Sequence, residues 1–278
     1  MASLLSVNTR TQNVTGWWGP ADANHQFCEP HYAVSDYIAE WNNTWSSLLY
    51  TFTAIYLWRH IAFKTNDVLV KTMIVWLGLI GLGSFGFHGT MLYPMQLCDE
   101  IPMVGLIATA ICAKISRPGL HPYFSTARKR QAGMITATLA SCGLVFVYVV
   151  LGDYEIFIHG FTALALVDTV LSATLNSATN SNYQAMLWCR NAAVIFILVG
   201  RVVWETENRA CHVLPQVWPL HVAWHVLSCL TSYYGILFDW LVRLEGEEQA
   251  NADLSWCMGL PRRFRYKQQN DVVKKKAL

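Results

Sequence analysis

Leu69–Leu92 reads LVKTMIVWLGLIGLGSFGFHGTML, 24 residues with a single charge, Lys71. A helix needs about 20 mostly apolar residues to cross the hydrocarbon core of a bilayer, so the stretch predicts a membrane-spanning helix. Apart from Lys71, its only ionisable side chain is His88, close to the end. An ionisable group inside a span is costly and is read as functional by default. Similar apolar runs occupy Trp45–Phe63, Met95–Ile115, Ala132–Leu151, Ile156–Leu175, Met186–Trp204 and Trp218–Leu241. The expected fold is therefore an all-α membrane protein, a seven-transmembrane helix bundle. Three regions follow: residues 1–44 as a polar N-terminal segment, 45–243 as the membrane domain, and 244–278 as a basic tail.

Composition agrees. Hydrophobic residues make up 54% of the chain and charged residues 14%, against about 25% charged in soluble domains. Twelve each of Trp, Tyr and Phe suit a bilayer, where aromatic rings gather at the interfaces. The net charge of +2 gives no reason to expect a nucleic-acid partner. Eight cysteines without a CxxC pair make neither a disulfide scaffold nor a cysteine zinc site. Cys98, Cys112, Cys142, Cys189 and Cys229 fall in apolar runs and are expected to be inert core residues. The polar stretch Ser6–Thr15 is unlike a cleavable signal peptide, so the first span is expected to direct targeting.

The placement of charge predicts orientation. Arg59, Lys64 and Lys71 surround the loop after the first span, and Arg117, Arg128, Lys129 and Arg130 the loop after the third. The tail adds Arg262, Arg263, Arg265, Lys267 and Lys274–Lys276. The opposite side holds Arg10 and Arg209 with acidic Asp153, Glu155 and Glu207. Basic loops stay cytosolic, which puts the N-terminus in the lumen and the C-terminus in the cytosol. The sequon Asn13-Val14-Thr15 fits a lumenal tail. Lys275-Lys276-Ala277-Leu278 resembles a dilysine signal of resident endoplasmic-reticulum proteins, so that membrane (or the Golgi) is the expected location. A merely basic tail drawn to anionic lipid is the plainer reading.

His221 and His225 lie in PLHVAWH, Pro219–His225. Spacing of i, i+4 sets two imidazoles on one helix face, one turn apart. This is how one helix offers two ligands to zinc, although a hydrogen-bonded pair has the same spacing. A third ligand is expected at His88: the second span ends, and the seventh begins, on the lumenal side. His159 and His212 are weaker rivals at lumenal helix ends. Asp99 lies level with His88 across the turn at Tyr93-Pro94, because antiparallel helices rise equally. Ser84 is one turn from His88 on the same face. Three neutral imidazoles leave one zinc position open to water. A neighbouring carboxylate, Asp99, suits proton transfer, and Ser84 an oxyanion contact. Glu100 is expected to be a lumen-facing carboxylate. Asp168 and Arg201, polar groups inside spans, are expected to pair with each other or to line a pocket.

Several blocks resemble the alkaline ceramidase family. They are Gly16-Trp17-Trp18-Gly19-Pro20, Cys28-Glu29, Tyr37–Thr44, Ser84-x-x-Phe87-His88-x-Thr90, Met95–Glu100 with Pro102-Met103, and His221-x-x-Trp224-His225. The resemblance runs from Gly16 to about Tyr233. It implies a seven-helix hydrolase that cleaves the amide of ceramide-type membrane lipids to a sphingoid base and a fatty acid, working as a monomer. It puts His88, His221 and His225 as zinc ligands and Ser84 and Asp99 as catalytic groups. It further implies a Cys28–Cys211 disulfide and a calcium site at Gln26, the Phe27 carbonyl, Glu29, His31 and Glu40. The family usually has Asp where this chain has Gln26 and Asn where it has His31. Calcium prefers hard, anionic oxygen ligands, so a weakened calcium site is expected. The alternatives are a zinc-containing seven-helix receptor of the progestin and adipoQ type, and a related lipid-remodelling hydrolase.

Overall fold

The computed structural model describes residues 15–63, 65–175 and 183–244, with the backbone alone of 252–257 and 260–266. The sequon residues Asn13 and Val14 and the terminal lysines lie outside these. Seven long α-helices form the body: α1 Trp41–Leu57, α2 Val68–Thr90, α3 Tyr93–Ser116, α4 Ala127–Leu151, α5 Tyr154–Ala173, α6 Tyr183–Ala210 and α7 Pro219–Arg243. A π turn, Trp58–Ala62, continues α1. An antiparallel hairpin in the tail, β1 Ala252–Cys257 and β2 Leu260–Tyr266, was not expected from the sequence.

Local chemistry sets the helix ends. Asp67 caps α2 by accepting from the Leu69 and Val70 amides, and Thr126 and Asp153 cap α4 and α5. Such caps satisfy amides that a helix start leaves unpaired. Pro94 and Pro219 stand in the first turns of α3 and α7, where a missing N–H costs nothing. The α2–α3 turn is tight: Met91 takes φ 54° and its buried side chain closes the corner.

Helices α2, α4, α5 and α6 are long and apolar enough to cross a membrane. In the last three only 11%, 22% and 17% of the apolar window is buried. Leu139, Phe146, Leu166, Val170, Leu198 and Val202 point outward. Apolar surface on this scale calls for a nonaqueous surrounding. Helix α1 is 17 residues long, while α3 and α7 bury Gln96, Asp99, Glu100, Lys114, His221, His225 and Asp239. These three helices thus carry most of the buried polar groups that lie in helices.

The centre is built from α1, α2, α3 and α7, with α4 and α5 against α3 and α6 against α7. Three expectations need correction. Asp168 pairs with Lys114 at 2.7 Å, and Arg201 with Glu205 at 3.2 Å, so the two do not pair with each other. Glu100 does not face the lumen: it is buried and bonded to the Tyr148 hydroxyl and, at 2.9 Å, to Gln96. Cys98 and Cys142 are exposed on the helix surface, and only Cys189 and Cys229 of the five are fully buried.

Candidate metal centre

His88 stands in the last turn of α2, and His221 and His225 in the first two turns of α7. All three are buried. Their ring centroids are 4.9, 5.0 and 4.6 Å apart, and one ligand atom from each lies within 4.8 Å of the others.

The outer nitrogens explain the orientation. Nδ1 of His88 lies 2.7 Å from Glu40 Oε2, Nδ1 of His221 lies 2.9 Å from Glu207 Oε2, and Nδ1 of His225 lies 2.7 Å from Ser46 Oγ. The two carboxylates are acceptors. The Ser46 hydroxyl donates to the Asn43 carbonyl at 3.1 Å and so accepts from His225. Each Nδ1 therefore carries the proton, and each Nε2 presents a lone pair. An oxygen behind each imidazole is the arrangement that fixes tautomer and direction in histidine metal sites. The donor set of three neutral nitrogens fits a zinc ion. Among the described residues it is the only group of three or more His, Cys, Asp or Glu side chains able to hold a metal.

Two of these supporting residues were missed. Glu207 reads in sequence as a solvated lumenal charge, but it is buried, and its other oxygen accepts the Cys28 amide at 3.1 Å. Cys28 is disulfide-bonded to Cys211, with Cα atoms 5.4 Å apart. Ser46 carried no signal beyond its place on α1. Glu207 offered one: a glutamate one helical turn before a cysteine that the family resemblance paired with Cys28.

Asp99 and Ser84 meet where α2 and α3 touch. A side chain on Gly83 would collide with the Cys98 carbonyl, at 2.0 Å, so glycine allows the two backbones to touch. Ser84 consequently faces Asp99 and accepts from Ser47 Oγ at 2.9 Å. Asp99 Oδ1 is buried with no hydrogen-bond partner. A buried carboxylate oxygen left unpaired is costly and marks a place for water or substrate. His159 is exposed beside Glu155, and His212 is exposed beyond the end of α6; neither joins the cluster.

The residues expected to bind calcium have other partners. Glu29 caps α1 from outside: Oε1 accepts from the Asn42 amide and side chain, and Oε2 from the Asn43 amide. Glu40 accepts from His31 at 3.2 Å, from His88, and from the Asn43 side chain at 3.0 Å. Burial alone would raise the Glu40 carboxyl. Hydrogen bonds from His31 and His88 outweigh it and hold the group well below the usual carboxylate range. The Phe27 ring lies on His221 and His88, with centroids 3.9 and 4.9 Å away, covering the imidazoles. Gln26 lies beside it, half-buried. Both carboxylates thus serve protein donors, while His31 Nδ1 is buried without a hydrogen-bond partner.

The family model for ceramidases matches residues 19–264. This chain belongs to the ceramidase family. Relatives of this ceramidase-family chain include alkaline ceramidase YPC1 of Saccharomyces cerevisiae, 28% identical over 84% of this chain and 81% of the relative. Mouse alkaline ceramidase 3 is 27% identical over 82% and 86%. An alkaline ceramidase of Arabidopsis thaliana is 27% identical over 79% and 84%.

Proposed function

We propose that this chain hydrolyses the ceramide amide bond, releasing a free sphingoid base and a fatty acid, at a zinc ion held by His88, His221 and His225. The observation that carries the reading is the convergence of three Nδ1-anchored imidazoles, with the unpartnered Oδ1 of Asp99 next to Ser84, one helical turn from His88. When bound, zinc supplies Lewis acidity and lowers the pKa of a water to about 7. Asp99 takes up a proton at Oδ1 and delivers it to the leaving amine. Ser84, supported by Ser47, donates to the oxyanion that develops on the amide carbonyl. Phe27 restricts water from the lumenal side.

The same reading assigns seven spans, with α1, α3 and α7 crossing beside the four more apolar helices. Residues 1–44 are lumenal, 45–243 form the catalytic membrane domain, and 244–278 are cytosolic, in the endoplasmic-reticulum membrane. The enzyme acts as a monomer on a lipid already in the bilayer. Such a lipid reaches the histidines sideways, between α5 and α6, which make almost no backbone contact. Family membership and the orphaned carboxylate favour a hydrolase over a receptor of the adipoQ type.

The test is incubation of the purified, detergent-solubilised protein with a panel of ceramides, reading released sphingoid base. Release that stops on treatment with a zinc-selective chelator and returns with zinc is expected. No release from any ceramide would overturn the reading. Calcium gives a separate prediction. Because Glu29 and Glu40 are committed to protein donors, buffering free calcium away with EGTA is expected to leave the rate within about twofold. A steep calcium requirement would show that the carboxylates rearrange around an ion.

A further inference from the structure

Far from the histidines lies a second buried charged cluster. Lys114 of α3 is 2% exposed; its Nζ is 2.7 Å from Asp168 Oδ1 on α5 and 2.8 Å from Asp239 Oδ1 on α7. Asp239 follows His225 by 14 residues on one helix, which separates the two sites by about 21 Å at 1.5 Å per residue. The cluster takes no part in the chemistry above. It joins three helices near their C-terminal ends, where the backbone dipoles favour a cation. A lysine inside a bundle is tolerated only when paired, so Lys114 binds α5 and α7 to α3.

The other supports of helix α5 lie mostly toward its start. It packs on α3 and α4 but hardly touches α6, which packs on α7. At the end near the metal centre α5 is held by Phe157 on Tyr148, at 5.5 Å between centroids, and by Tyr154 stacked on His25 at 4.2 Å. At the other end the polar ties are Asp168 to Lys114 and Thr174 Oγ1 to His121 Nε2 at 2.8 Å. Between them α5 turns Leu166, Val167 and Val170 outward. The apolar packing of Phe157, Phe161 and Leu164 on α3 and α4 holds the half of α5 nearer the metal centre, so the position of the other half, and with it the spacing of α5 and α6, depends on the polar ties.

We propose that Lys114, Asp168 and Asp239 are positioning residues: they clamp the far end of α5 and so set the width of the α5–α6 crevice through which the lipid substrate passes. The proposal rests on the ceramidase reading for the identity of that lipid. The clamp controls which acyl chains pass, not the bond-breaking step.

The experiment uses the full chain in lipid nanodiscs, with spin labels at Val167→Cys and Leu198→Cys after the free cysteines are replaced. Asp168→Asn is expected to broaden and lengthen the α5–α6 distance. With ceramides of graded acyl length it should raise KM about fivefold or more and shift the length preference, with kcat within about twofold. The triple variant Lys114→Met, Asp168→Leu, Asp239→Leu replaces the ions by apolar groups of similar size, a change that buried ion clusters often accept. It is expected to restore both distance and KM. A lowered Tm with unmoved distance, KM and length preference would make the cluster merely structural and overturn the proposal. So would a triple variant that recovers the distance and leaves KM raised. Should Asp168→Asn fail to fold, Thr174→Val cuts the neighbouring tie; an unchanged distance there equally overturns the idea. The label distance judges the clamp alone, while ceramide hydrolysis by the unmutated chain judges the functional reading alone.

Discussion

His221→Ala is expected to remove bound metal and lower ceramide hydrolysis by at least about a thousandfold, since the acidifying effect on water of about nine pKa units goes with the ion. His88→Ala and His225→Ala should match it. Each deletes one of three buried donors, and two imidazoles leave a site with too few protein ligands for zinc. Two controls separate this from misfolding. Metal content is read by mass spectrometry on protein that elutes as the unmutated chain does, and the Cys28–Cys211 disulfide is checked by thiol labelling. Asp99→Asn serves as the contrast. It should retain the metal and still lose activity, because the amide cannot take up the proton. Full metal occupancy with activity in any histidine variant would exclude the three-histidine centre. Loss of metal in Asp99→Asn would move that carboxylate from proton transfer into the metal site itself.

The parts of this site that sequence reveals are those governed by periodicity. The pair His221 and His225 and the one-turn spacing of Ser84 and His88 follow from the helical repeat, but Asp99 lies level with Gly83 and Ser84 and not with His88 as expected, because the turn is tight enough to bring Gly83 against Cys98 and Asp99. The helices themselves are legible for the same reason, although α1 and α4 start four and five residues before the expected Trp45 and Ala132, and α6 runs six residues past Trp204 to Ala210. That extra length hid Glu207: a glutamate beyond an assumed helix end reads as solvated, whereas on the continued helix it faces His221. Glu100 was misread for a related reason. Its burial is created by Tyr148 of α4 and Gln96, and no pattern within α3 announces a partner from another helix. The N-terminal segment is the least legible part. It has no repeat, and its carboxylates choose among amides, imidazoles and ions by tertiary packing. Glu29 serves the start of α1 and Glu40 serves His31 and His88, uses invisible in a list of oxygen donors. Asp168 shows the same limit, since its partner Lys114 is 54 residues away.

Glu207→Ala is expected to weaken metal binding about 10- to 100-fold, the usual cost of removing the group behind a histidine ligand. The carboxylate serves two donors at once: Oε2 takes the Nδ1–H of His221 at 2.9 Å, and Oε1 takes the Cys28 amide at 3.1 Å. Alanine leaves both donors buried and unpaired, which costs about 1–3 kcal/mol for each. His221 would then be free to turn or to change tautomer, and its Nε2 would no longer be directed at the ion. Glu207→Gln distinguishes orientation from charge. The amide oxygen can serve one donor, but its nitrogen is itself a donor and must oppose the other. A loss of about tenfold, between alanine and the unmutated chain, is therefore expected. Ser46→Ala removes a neutral acceptor from the half-buried side of His225 and should cost less than Glu207→Ala. The measurement is metal retention against a series of chelators of graded affinity, made on protein whose Cys28–Cys211 bond is intact by thiol labelling. Metal affinity unchanged in Glu207→Ala would mean that the helix alone directs His221 and that Glu207 serves only to anchor Cys28. Glutamine equal to alanine would mean that the negative charge matters more than the direction of the hydrogen bond.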